Sequence, residues 1–351
     1  MVFLTIAGLG MVGMSFPPNL EMTSRGPLVL LFYDGFERKA RAGVKGAIYS
    51  QGRRLARYLY RTARRKQVHT GFYTAFLSLQ HSLRTVGCDV RINDFASAEK
   101  RPNYPIGIAG YPSAFEFIRL PNPVIFGHGD LGQPDQAQRA MELHNIGVVI
   151  QPGEWACEYN RPWLGDKLVA WPVGIDLAAW KLPSVAKDVD FLIYDKIRWH
   201  RDVEVPAVLN RITAELDFRG YSYRVLRYGH HIKHEFRAEL ARSRALLFLC
   251  EHETQGIAYQ EAMAAGLPVL AWDEGKLVDP TQLPYAPNLR VSSVPYFDAR
   301  CGITFTMQDF QSTLGSFMAQ RDMFRPREFV SDKLSVETAG RNYLEIYASL
   351  L

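Results

Sequence analysis

The sequence is poor in cysteine, and no two of its cysteines are paired by spacing. Cys88, Cys157, Cys250 and Cys301 lie far apart, with no C-x-x-C and no histidine at metal-finger distance, which excludes a zinc finger or a disulfide scaffold. A reducing compartment suits such a set, and Cys88 and Cys250, in or beside apolar runs, read as small core residues. A secretory leader is not expected: such a leader wants a basic start, and no basic residue precedes Val2–Ile6. The uncharged start from Met1 to Phe16 is shorter than the ~20 residues of a spanning helix and holds Gly8, Gly10 and Gly13. A ragged start before the first real strand is expected. Gly8-Leu-Gly-Met-Val-Gly13 spells a dinucleotide fingerprint, but only a short apolar run precedes it and no acidic residue closes a second strand, so it reads as accidental.

What remains has an ordinary globular composition, 47% hydrophobic and 22% charged over 351 residues, a length that suggests two domains. Strand-like runs alternate with segments of helical periodicity, the pattern of parallel α/β sheets. One series comprises Leu28–Tyr33, Asp89–Asn93, Ile106–Ile108, Val124–Phe126, Gly147–Gln151 and Leu168–Trp171. A second comprises Asp190–Tyr194, Tyr223–Tyr228, Ala245–Cys250, Pro268–Trp272 and Asn288–Val291. Between them, Pro172-Val-Gly-Ile-Asp176 reads as an interdomain connection. The expected architecture is α/β, two doubly wound Rossmann-like domains, 1–174 and 175–351, facing a cleft at the carboxyl ends of their strands. Helices are expected over Phe72–Leu83, Gly256–Ala265 and Ser335–Leu350, the last amphipathic and able to pack back on the first domain.

The most specific signal is Glu253-Thr-Gln-Gly-Ile-Ala-Tyr-Gln-Glu261, followed by Ala262-Met-Ala-Ala-Gly-Leu-Pro-Val269. A strand, a glycine-bearing loop and a helix follow one another here. The backbone N–H groups of Gln255, Gly256 and Ile257 would point from the helix start at a diphosphate. Glu261 lies roughly 7 Å further along the helix at ~1.5 Å per residue, within reach of a ribose. This segment resembles the E-x7-E signature of the retaining glycosyltransferases of family 4 (glycosyltransferase group 1), which have the GT-B fold. The resemblance covers roughly Val169 to Leu350; the N-terminal half matches weakly.

The resemblance implies that Glu253 contacts the donor sugar and Glu261 the nucleotide ribose. Phe191-Leu-Ile-Tyr-Asp-Lys196-Ile-Arg-Trp-His-Arg201 is similar to the family's strand, turn and paired cations. Lys196 and Arg201 would then face the diphosphate, Asp195 replaces a glycine, and Arg198 could take over one contact. Trp171-Pro-Val-Gly-Ile-Asp176 resembles the interdomain segment. Pro123-Val-Ile-Phe-Gly-His128-Gly-Asp130 is an apolar strand ending in a polar turn, so His128 and Asp130 are expected at the cleft edge. The family often has a sugar-contacting histidine there. Gly71 resembles the end of the family's glycine-rich loop near the donor phosphate.

The implied function is sugar transfer from a nucleoside-diphosphate donor to a hydroxyl acceptor, with retention and with neither cofactor nor metal. The alternatives are an epimerase or phosphorylase of the same fold, or a non-catalytic nucleotide-sugar-binding protein. Asp188-Val-Asp190 imitates a D-x-D metal motif but precedes its strand. His230, His231 and His234 have no carboxylate to complete a metal set.

Charge is unevenly spread. From Arg38 to Lys66 there are eleven basic residues and no acidic one, whereas the chain nets +5, so everything outside that window carries −6. Ile48, Leu55 and Leu59 fall on one helical face, and Arg54, Arg57, Arg61 and Arg64 on another. Two readings stand side by side: a solvated helix face, or 45–66 docking to an anionic membrane surface or to a lipid-linked or polysaccharide acceptor. Nucleic acid is not expected as a partner. The expected location is cytoplasmic, with peripheral contact at the inner membrane face on the docking reading.

Overall fold

The computed structural model describes residues 16–33, Gly52 and 71–351. The Gly8–Gly13 run and, Gly52 apart, the basic segment 38–66 lie outside the described residues. The apolar runs of the first half form β1 (Met22–Thr23), β2 (Gly26–Tyr33), β3 (Asp89–Ile92), β4 (Ile106–Gly110), β5 (Val124–Gly129), β6 (Ile146–Gln151) and β7 (Leu168–Ala170). They make one sheet in the order β1-β2-β4-β5-β6-β7, with β3 also on β2. Every pairing is parallel except the short β1–β2 hairpin. The six central residues of β2 and all five of β4 are buried. Helices on both faces of a parallel sheet demand such continuous apolar strands.

The second half forms β8 (Val189–Asp195), β9 (Tyr223–Arg227), β10 (Ser243–Leu249), β11 (Val269–Trp272) and β12 (Gly302–Phe305). All are parallel, in the order β12-β11-β10-β8-β9. Alternation divides their side chains between two cores. Leu192, Tyr194, Leu246 and Phe248 enter one, while Phe191, Ile193, Ala245 and Leu247 enter the other. The chain leaves β8 for β9 on one side and returns to β10 on the other. The carboxyl ends of β8 and β10 therefore flank a topological switch point, where open α/β sheets leave a crevice.

One expected strand is corrected. Asn288–Val291 is not the fifth strand of this sheet; Gly302–Phe305 is. Arg290 makes an isolated bridge to Lys276. Leu289 and Val291 pack with Trp155, Tyr159 and Leu277, so their apolar character serves contact with the first half of the chain instead of a sheet face.

The final helix, Val336–Ala348, starts at Ser335, whose hydroxyl accepts the N–H of Thr338 at 3.2 Å. Its apolar face completes the first core: Tyr343, Leu344 and Tyr347 lie among the residues of β2, β4 and β5. Gly340 lets it approach the helix Gly71–Thr85 closely, since a Cβ there would fall 2.6 Å from the Ser82 carbonyl oxygen. The Tyr347 hydroxyl accepts the Leu30 N–H at 3.1 Å and donates to the Pro105 carbonyl. The outgoing and returning crossovers run side by side, with Ile175 N donating to Leu334 O at 2.7 Å.

Candidate functional site

The switch point positions the residues that the sequence singles out. Asp195 and Leu249 are paired in register at the ends of β8 and β10, and Lys196 N donates to Leu249 O at 2.8 Å. Lys196 and the Cys250–Glu253 loop thus emerge next to each other. Lys196 Nζ forms an ion pair with Glu253 Oε1, and both side chains are nearly buried. Its ammonium also lies 4.5 Å from the ring centroid of Tyr228. Burial is the strongest single influence and works against the Lys196 charge, but Glu253, with smaller help from Cys250 and Tyr228, offsets it, and the pKa ends above the ordinary lysine value. The site holds a fully charged ammonium beside a carboxylate.

Arg201 does not stand as a second free cation. Its Nη1 and Nη2 bond both oxygens of Asp195, at 2.9 and 2.7 Å, in a bidentate pair. The carboxylate that replaces the expected glycine neutralises the guanidinium. Arg198 is also engaged: Nη2 donates to His252 O at 2.6 Å, and the guanidinium stacks on Trp199 at 4.1 Å. The buried carboxylate of Glu251 accepts the N–H groups of Arg198 and Trp199, at 2.9 and 3.0 Å. Glu251 therefore shapes the turn after β8 from the end of β10. Glu251 and His252 were not singled out in the sequence; their only signal was adjacency to Glu253.

The helix behind the loop spans Ile257–Ala264. Gly256 precedes it with φ +82°, and a Cβ there would fall 2.1 Å from Tyr259 Cε1, so glycine is required on both counts. The first-turn N–H groups of a helix have no partners within it, which leaves the tip suited to an anion. Glu261 sits one turn on, with Lys233 Nζ at 3.4 Å. Burial raises its carboxyl pKa to about 7, with Lys233 opposing. The Gln255 side chain turns away from the tip: Oε1 accepts the Val173 N–H, and Nε2 donates to Val173 O and Gln260 Oε1.

The first-domain candidates are placed differently. His128 lies inside β5, only 5% exposed, with its ring 4.9 Å from that of Trp171. It is the penultimate residue of β5, at the carboxyl end of the first sheet, but its side chain is buried and not open to solvent; burial depresses its pKa to about 3, so the imidazole is neutral. Its Nε2 is buried without a hydrogen-bond partner. Asp130 is exposed just beyond β5, and its Oδ1 accepts the Gly132 N–H at 2.8 Å. Gly71 opens the helix Gly71–Thr85 in open space. No hydrogen bond or ion pair joins His128, Asp130 or Gly71 to Glu253 among the described residues.

Comparison with solved structures finds chains that are similar to this one in fold. A sucrose-phosphate synthase from Thermosynechococcus elongatus superposes with TM-score 0.51, at 13% identity over 92% of this chain and 98% of that one. The fold is GT-B. A glycosyltransferase from Rickettsia africae ESF-5 gives TM-score 0.49 at 12% identity, covering 92% of this chain and 98% of its own. The lipopolysaccharide outer core galactosyltransferase WaaB, in its apo form, gives 0.46 at 11% identity over 92% and 99%. No family model and no curated protein matches the chain.

Within this GT-B frame, no group of three or more histidine, cysteine or acidic side chains is placed to hold a metal among the described residues. His231 is used internally, its Nε2 lying 3.1 Å from the Tyr194 hydroxyl. Asp188 is paired with Arg242. No helix among the described residues is long and apolar enough to cross a membrane.

Proposed function

We propose that the chain is a glycosyltransferase of the retaining, family 4 type, moving a sugar from a nucleoside-diphosphate donor to a hydroxyl acceptor without a bound metal. The observation that carries this is the meeting of Lys196 and Glu253 at the switch point of the second sheet, beside the glycine-started helix that bears Glu261. A diphosphate at the helix tip would meet the positive end of the helix dipole. Lys196 would exchange Glu253 for a phosphate oxygen, and Glu261 would accept a ribose hydroxyl. Glu253, released from Lys196, would accept sugar hydroxyls.

Transfer breaks the bond between the anomeric carbon and the phosphate oxygen and forms one to the acceptor oxygen. The acceptor's proton passes to the leaving diphosphate, and the bonding electrons stay with that diphosphate. Lys196 and the helix tip stabilise the charge that develops there. The neutral His128 can donate or accept one hydrogen bond through Nε2 if sugar reaches it. The proposed location is the cytoplasm, with segment 45–66 contacting an anionic membrane face or a lipid-linked acceptor. Sedimentation with anionic vesicles that persists after those arginines are replaced would remove the membrane part.

A thermal-shift screen against nucleoside diphosphates and their sugars tests donor binding, because a ligand of the folded state raises Tm. Glu253→Ala is expected to abolish turnover while the diphosphate still binds. Mass analysis of the products separates transfer from epimerisation or phosphorolysis. Absence of any nucleotide-dependent shift would refute the proposal.

A further inference from the structure

Glu253, Thr254 and Gln255, the three residues that lead into Gly256 and its helix, are each held from outside their own domain. The Trp155 indole N–H donates to the Glu253 carbonyl at 2.6 Å. Gly153 lies so close to Thr254 that a Cβ on it would be 2.3 Å from the Thr254 carbonyl oxygen. The Gln255 amide clasps both backbone groups of Val173, in the interdomain connection. One residue on, Ile257 packs against the first core as well as the second.

Pro152, Gly153 and Trp155 follow β6 at the carboxyl edge of the first sheet, where the helix Glu154–Leu164 begins. Trp155 is 7% exposed, and its ring meets His252 edge-on at 5.5 Å. On the loop's other side Glu253 N donates to Ser292 O at 3.0 Å. The backbone of Glu253 is thus pinned by one bond from each domain, while its carboxylate meets Lys196 and the Cys250 thiol. If the two domains moved apart, the Trp155 and Gly153 contacts with the Glu253–Thr254 backbone would be lost.

We propose that Trp155 is a positioning residue for Glu253: its indole N–H, with the close approach of Gly153, couples the first domain to the loop that presents Glu253. Domain approach would then set the Glu253 carboxylate for transfer without itself providing nucleotide affinity. The claim about turnover rests on the glycosyltransferase reading; the claim about the loop does not. Trp155→Phe keeps an aromatic ring and removes the N–H with the pyrrole half of the indole. Tyr296→Phe is the matched control, since the Tyr296 hydroxyl makes another cross-domain bond, to Pro152 O at 2.9 Å, whose acceptor is not on the loop.

The test uses the full chain, UDP and a panel of UDP-, GDP- and ADP-sugars as probes, with donor hydrolysis or transfer and amide hydrogen exchange as readouts. Trp155→Phe is expected to lower kcat about tenfold, to leave the Kd for the bound nucleoside diphosphate within twofold, and to speed exchange in 251–257 about tenfold. Tyr296→Phe is expected to leave both kcat and exchange in 251–257 near wild type. Unchanged exchange in 251–257 for Trp155→Phe would overturn the proposal. An equal response to Tyr296→Phe, or kcat and Kd falling together with a general loss of protection, would do the same.

If the wild type turns over no donor, the functional reading fails, and exchange in 251–257 still decides the coupling. Should Trp155→Phe not fold, Gly153→Ala, which drives a methyl toward Thr254, takes its place with the same expected signature.

Discussion

Replacing Glu261 with glutamine is expected to stabilise the free protein at alkaline pH. Burial is the main reason that its carboxyl titrates at about 7 instead of 4.5, and Lys233, at 3.4 Å, recovers only part of the lost hydration. A raised folded-state pKa means that the folded chain holds a proton which the unfolded chain has released. Between pH 4.5 and 7 stability therefore falls as pH rises, and above 7 the full penalty of the buried charge is present. At about 1.4 kcal/mol per pH unit, the displacement amounts to about 3 kcal/mol at most.

Glutamine carries no charge to desolvate, and the exposed Lys233 loses little. Denaturation midpoints for wild type and Glu261→Gln, compared at pH 5 and pH 8, check this. The variant is expected to gain several degrees in Tm over wild type at pH 8 and almost none at pH 5. A donor ribose hydroxyl would bond the ionised carboxylate, so nucleotide-sugar affinity should rise between pH 6 and 8 in wild type and stay flat in the variant. Parallel pH profiles of stability would refute the buried-carboxylate reasoning.

Lys196→Met leaves Glu253 buried without its cation and is expected to destabilise the chain by about 3 kcal/mol, measured by urea unfolding. Adding Glu253→Gln to that variant should restore most of the stability and none of the turnover. Arg201→Lys loses the two-pronged bond to Asp195; about 1–2 kcal/mol of stability should go, while UDP affinity, by calorimetry, changes less than about threefold. A large loss of affinity would instead make Arg201 a phosphate ligand. Gly256→Ala forces a Cβ into the Tyr259 ring at a φ of +82° and is expected to remove about 1–3 kcal/mol and most nucleotide binding, seen as loss of the thermal shift.

Much of this fold was legible before any coordinates. Strands buried on both faces must be apolar throughout, so Leu28–Tyr33, Asp190–Tyr194 and Ala245–Cys250 announced themselves as short continuous runs. The start of the Glu261 helix was legible at Gly256, because a positive φ selects glycine whatever surrounds it. Asn288–Val291 misled because an apolar run says that something covers it without saying what; here it is the surface around Trp155. The Arg201 and Asp195 pair was hidden for a related reason. Residues six apart meet only because the turn after β8 curls back, and Glu251, in the loop after β10, holds that turn.

The sequence alone determined the strands of both series except the last of the second, and the loop, glycine and helix that carry Glu253 and Glu261. These depend on local backbone preference and on the period of apolar residues, both of which are written along the chain. Tertiary structure decided which charges remain free, that His128 is buried against Trp171, and that Trp155 reaches Glu253 across 98 residues of sequence. Such contacts depend on how two sheets and their crossovers pack in space, and a side chain's hydrogen-bond partner is settled only when that packing brings one within about 3 Å.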